Sequence, residues 1–135
     1  MEKLNSSDLM TGNYIQKDGI IHQVTSIVDN QNKKNHKASD IIKTDKTSEY
    51  VFLNHFEPIL ITKDNIKKLG FHKLITSYSI DEGEYNLDII TNGLVKVRIH
   101  GQEITEIKYI HELQNNFYWN TRKKLIFNKK NNLKN

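Results

Sequence analysis

Residues 94–100, Leu-Val-Lys-Val-Arg-Ile-His, alternate apolar Val95, Val97 and Ile99 with polar Lys96, Arg98 and His100. A period of two marks a strand with one buried and one wet face, and such a strand belongs in an antiparallel sheet. Its partners lie upstream. Residues 73–80 and 85–90 are β-rich runs, with turns at Asp81-Glu82-Gly83 and Asn92-Gly93. Residues 13–28 read as a β-hairpin about Lys17-Asp18-Gly19, because Asp-Gly favours the tight turn that joins antiparallel strands. Short strands are expected at 49–53 and 58–61, the second opened by Pro58, the only proline. Residues 29–40 hold almost no apolar side chain and read as a mobile loop.

Two segments change period. In 61–71, Thr62 can cap a helix, Asp64 suits the positive end of its dipole, and Ile61 and Ile66 are spaced as a hydrophobic staple. Gly70 stands where a left-handed cap would end it, and Ile66 and Leu69 would face the core. A short helix is therefore expected at about 62–69. In 108–121, Ile110, Leu113, Gln114, Phe117 and Thr121 fall on one face of a helix, with Ile107 and Tyr118 at its edge. The combination predicts an α+β fold: a curled antiparallel sheet, the short helix, and a longer C-terminal helix packed on the sheet. A chain of 135 residues suggests one domain. It is drawn at 1–121, followed by a basic tail, 122–135, that is partly ordered at most.

The stretch 108–125, KYIHELQNNFYWNTRKKL, carries the candidate chemistry. His111-Glu112 opens like a zinc-protease helix, but Asn115 stands where the second histidine ligand is required. Trp119 lies opposite the apolar stripe, on a side shared with Lys108, Glu112 and Asn115. A lone tryptophan on a polar face is a candidate interface anchor, unless residues 125–127 fold back to cover it.

Charge is unevenly spread. The first 120 residues hold fourteen basic and sixteen acidic side chains, a balance of −2. The last fifteen hold Arg122, Lys123, Lys124, Lys129, Lys130 and Lys134 with no acid, a balance of +6. A basic terminal arm can contact nucleic acid or simply be a solvated end. Lys, Asn and Ile supply 52 of the 135 residues, a bias that AT-rich codons explain and that counsels against reading every lysine as functional. Arginine is limited to Arg98 and Arg122, which argues against dedicated sequence-specific DNA reading.

Several classes are excluded or disfavoured. Without cysteine there are no disulfides, thiol nucleophiles, iron–sulfur clusters or Cys-ligated zinc, and the chain suits a reducing cytoplasm. The N-terminus has no apolar h-region, so no signal peptide is expected, and no apolar run is long enough to span a bilayer. The six histidines form no close pair, the Asp81, Glu82 and Glu84 turn does not follow the calcium-loop pattern, and no phosphate-cradling glycine motif or serine-nucleophile motif occurs. The expectation is a non-enzymatic cytoplasmic protein without metal or cofactor.

Three segments carry a resemblance. Leu9, Gly12, Asn13 and Tyr14 match a Leu-x-x-Gly-Asn-Tyr opening. Ile61, Thr62, Leu69, Gly70 and Phe71 match a Thr-capped short helix ending in Gly-Phe. Lys108, Tyr109, His111, Leu113, Gln114, Asn115 and Tyr118 match a closing Lys-Tyr-x-His-x-Leu-Gln-Asn-x-Tyr helix, with Phe117 adding bulk just before the matched tyrosine. In these the chain resembles a group of small proteins of Bacteroidetes phages, prophages and mobile elements. That resemblance implies a compact α+β fold and a mobile-element origin, and it points to no known activity. The expected function is an inhibitor of a host defence nuclease of the anti-CRISPR type, binding the effector (Cas) protein and/or its guide RNA, with no membrane partner. Trp119, Lys108, Asn115, Arg122, Lys123, Lys124, Lys129, Lys130, Lys96 and Arg98 are the candidate contacts. The alternative is a small-barrel nucleic-acid-binding module serving the element's own replication or gene control; the N-terminal hairpin loosely resembles the start of an SH3-like barrel.

Overall fold

A computed structural model of the chain describes residues 4–28, 40–80, 84–90 and 93–127. The chain, read from sequence as one domain, divides by its contacts into two compact units, Met1–Ile59 and Leu60–Asn135.

The first unit is a four-stranded antiparallel sheet: β1 (Tyr14–Lys17), β2 (Ile20–Val28), β3 (Ile41–Thr44) and β4 (Val51–Phe52), adjacent in chain order. Lys17 pairs with Ile20, which leaves Asp18 and Gly19 as a two-residue turn. Their φ angles of 52° and 78° are the left-handed pair that a type I′ hairpin requires. After β4 a 3-10 turn, Leu53–His55, redirects the chain to β1, where Gln16 and Glu57 exchange backbone hydrogen bonds of 3.0 and 2.8 Å. Strand β1 is thereby paired on both sides and the sheet curls into a half-barrel. Ile15, Val24, Ile42, Leu9, Leu53 and Phe56 fill its interior.

The second unit holds β5 (His72–Lys73), β6 (Tyr78–Ile80), β7 (Tyr85–Ile89), β8 (Val95–Ile99) and β9 (Gln102–Ile107), again antiparallel and adjacent in chain order. Its short helix α1 (Lys63–Lys68) starts as expected, with Thr62 Oγ1 accepting from the Asn65 amide at 3.1 Å. It ends in a Schellman cap: the Gly70 amide donates to Lys67 O and the Phe71 amide to Ile66 O, at 3.0 and 3.1 Å. Helix α2 (Ile110–Thr121) lies on the sheet, burying Ile110, Leu113 and Phe117. The Phe117 ring meets Tyr85 of β7 edge-on.

The α+β class and both helices agree with the sequence reading; the strands depart from it in places. Residues 58–61 do not form a strand. Pro58 has no amide to donate, and pairing is limited to an isolated bridge between Leu60 and Tyr109 beside an Ile61 amide bond to Lys108 O. The run 73–80 breaks into the β5–β6 hairpin, with Leu74–Ser77 as its loop. Strands β3 and β9 go beyond the sequence pattern. The 29–40 loop falls outside the described residues except for Asp40, and so do Asp81, Glu82, Lys129 and Lys130. Among the described residues no helix is long and apolar enough to cross a membrane.

Candidate binding surface at the end of the C-terminal helix

Helix α2 is fixed at both ends by its own side chains. At the start, Glu112 Oε1 accepts from the Lys108 and Tyr109 amides at 2.8 and 3.0 Å, which satisfies donors that no helical carbonyl reaches. At the other end, Asn120 Nδ2 and Thr121 Oγ1 donate to Asn116 O and Phe117 O, both at 2.8 Å. The Arg122 amide donates to Tyr118 O at 2.7 Å, and Arg122 itself takes the left-handed conformation, φ 63° and ψ 19°.

That turn places the Arg122 guanidinium over two aromatic rings. Its Cζ is 5.0 Å from the centre of the Trp119 ring and 5.8 Å from that of Tyr118. The two rings meet edge-on, 5.7 Å apart. Trp119 remains 60% exposed. The following segment does fold back, but elsewhere: Gln114, on the buried face, donates from Nε2 to Leu125 O at 3.1 Å, and Leu125 is buried. Cover of Trp119 by residues 125–127, the alternative to an interface role, is therefore not what the chain does; the leucine lands on the core side of α2.

The other sequence candidates are scattered. Lys123 and Lys124 are exposed directly after Arg122. Asn115 is half-buried one turn before Trp119. Lys108 precedes α2, at the opposite end of the helix from Trp119, with its Nζ 5.7 Å from the Tyr109 ring centre. Lys96 and Arg98 do lie on the wet face of β8, but acids meet them there. The Arg98 guanidinium donates to the Asp88 carboxylate of β7. Lys96 Nζ is 3.8 Å from Glu103 of β9, and Lys96 pairs in register with Glu106. This face is a charge-balanced ladder rather than the basic surface the β8 sequence suggests. Tyr118, read as a core-edge residue, belongs to the cluster; its place next to Trp119 in the sequence was the available signal.

Two of the histidines, His22 and His111, take buried structural places. In the first unit His22 is buried, its Nδ1 2.7 Å from Thr44 Oγ1 and its ring edge-on to Phe56 at 5.0 Å. Burial, followed by the Lys46 charge, holds its pKa below the ordinary histidine value. In the second unit His111 is buried and stacks on Tyr109, with ring centres 5.9 Å apart. Among the described residues no three His, Asp or Glu side chains are grouped to hold a metal ion.

The fold and this surface define a two-unit α+β protein with an exposed aromatic–cationic cluster at a helix end. Comparison of the chain with family models, with curated proteins and with solved structures gave no match.

Proposed function

We propose that this is a non-enzymatic interaction protein of a phage or other mobile element, and that it acts by binding through the end of α2. One observation carries the reading: Trp119 is 60% exposed under a cation, while the cations of the β8 face are already met by acids. An exposed tryptophan supplies large contact area at small entropic cost, the hallmark of an interface anchor. The partner we favour is a host defence nuclease loaded with guide RNA, engaged so that its action on the element is blocked. The resemblance to mobile-element proteins motivates that choice, and the acid-free stretch from 113 to 135 suits an RNA-bearing target.

A second reading has its own support. The first unit curls into a half-barrel whose β1 is paired on both sides, which fits a small-barrel nucleic-acid-binding module for the element's own replication or gene control. Purification of the tagged protein from its host, with and without RNase, separates the two. A guide-RNA nuclease co-purifying with wild type and lost with Trp119→Ala is the expected result. Bulk RNA or DNA without that nuclease favours the module. Equal recovery by wild type and Trp119→Ala removes the α2 end from the function.

A further inference from the structure

The chemistry of the Tyr118–Trp119–Arg122 cluster narrows what it can take, given that the α2 end is the contact surface. Arg122 occupies a left-handed position, φ 63°, at a helix C-terminus. Glycine adopts that conformation freely and is the usual residue there, whereas a side chain with Cβ adopts it at a cost. What arginine adds in place of glycine is the guanidinium, held 5.0 Å from the indole centre. Backbone strain that brings a charged group to an exposed ring points to a binding role for that group. Lys123 and Lys124 follow, exposed, and the sequence carries no acid from 113 onward.

These features select a ligand class. The guanidinium beside the indole repels cations, so an ammonium or methylated lysine is disfavoured. Exposed Lys123 and Lys124, next in the chain, add positive charge and so favour an anionic ligand. A ligand with a flat π-face to stack on indole and guanidinium, and with an anion a few ångströms away, is a nucleotide unit of a nucleic acid. In a duplex both faces of each base are covered by neighbours; in a single strand they are open. We propose that the end of α2 binds single-stranded nucleic acid, with one base stacked on Trp119 beside the Arg122 guanidinium and the flanking phosphates on Lys123 and Lys124. RNA and DNA share this chemistry.

Trp119 is the only tryptophan, so intrinsic fluorescence of the full chain reads the site directly. The probes are oligouridine and oligodeoxythymidine of about ten nucleotides, a duplex of equal length, and heparin as a polyanion without bases. Either single strand should quench the emission saturably, the duplex should bind about tenfold more weakly, and heparin should leave the emission unquenched. Arg122→Gly should melt no lower than wild type yet bind single strands about tenfold more weakly, because it relaxes the backbone and removes the stacking cation. Unchanged binding by Arg122→Gly, equal affinity for the duplex, or equal quenching by heparin would overturn the proposal. If Trp119→Ala loses its host partner but no single strand quenches the wild type, α2 remains the contact surface and its partner there is a protein.

Discussion

The ring of Phe117 meets the ring of Tyr85 edge-on, with centres 4.9 Å apart, and this pair joins α2 to the middle of the second sheet. Phe117 is 2% exposed and Tyr85 1%. Truncating a buried aromatic removes its transfer free energy and leaves a cavity whose lining has nothing to pack against. Phe117→Ala should therefore destabilise the second unit by about 3–5 kcal/mol. Thermal unfolding followed by circular dichroism should show its midpoint fall by about 15 °C or more. An unchanged midpoint would mean that α2 is not part of the core.

Tyr85 also holds α2 through its hydroxyl, which donates to Asn116 Oδ1 at 2.6 Å. Burial pushes the phenol pKa well above its ordinary value. The unfolded chain ionises first as pH rises, so this contribution to stability is complete below about pH 10 and is lost above it. Tyr85→Phe should cost about 1 kcal/mol at neutral pH and flatten the alkaline part of the stability profile. Urea midpoints between neutral and strongly alkaline pH measure both effects. An alkaline slope unaltered in the variant would assign the effect to other groups.

His22 gives the first unit the opposite dependence. Its neutral ring packs against Phe56 and Thr44, with Lys46, Asp45 and Lys17 as the charges that act on it. Since its folded pKa is depressed, the unfolded chain takes up the proton first as pH falls below about 6.5. Stability is full above that pH and declines below it. Hydrogen exchange of β2 amides should quicken between pH 7.5 and 5.5, after correction for intrinsic rates, and His22→Gln should remove most of that trend.

Gly70 tests the cap of α1. Its φ is 102°, and a Cβ built there would sit 3.7 Å from Ile80 Cδ1, an ordinary contact. Backbone conformation rather than crowding therefore sets the cost of Gly70→Ala, about 1 kcal/mol. Gly70→Asn should cost less, because asparagine tolerates the left-handed region. Denaturant midpoints of the two variants compare them, and equal losses would point to crowding instead.

Both α1 and the β1–β2 turn were legible because their signals are local. Thr62, Gly70 and the Asp18-Gly19 pair each act through neighbouring backbone groups. Elements defined by distant partners were not legible. β3 is four residues of Ile-Ile-Lys-Thr beside a polar stretch, and only β2 and β4 on its two sides make it a strand. The turn at Leu74–Ser77 contains no Gly, Pro, Asn or Asp to announce it. At the candidate site, helical spacing put Trp119 on the outer face, and the exposure of that residue agrees. The β8 cations misled because the acids that meet them come from Asp88 on one neighbouring strand and Glu103 on the other. Arg122 was visible as a charge but not as a cap, since sequence patterns reserve that place for glycine.

Those acid partners yield the sharpest distinction between cations. If binding to a polyanion runs through the end of α2, its salt dependence counts the cations there. Lys123→Gln with Lys124→Gln should weaken binding to single-stranded RNA at low salt and reduce the slope of log affinity against log salt by about 0.7 for each phosphate that is no longer neutralised. Adding Lys129→Gln and Lys130→Gln should flatten it further. Lys96→Gln with Arg98→Gln should leave the slope unchanged, because those charges already face Glu103 and Asp88 and release no counterions on binding. Trp119→Ala should behave in a third way, lowering affinity by a similar factor at every salt concentration with no loss of thermal stability, since stacking carries no net charge and the ring is outside the core. Titrations at 50, 100 and 200 mM salt (about the range over which such slopes are measured) would separate the three patterns. A slope that falls with the β8 pair and not with Lys123 and Lys124 would move the contact to the sheet face.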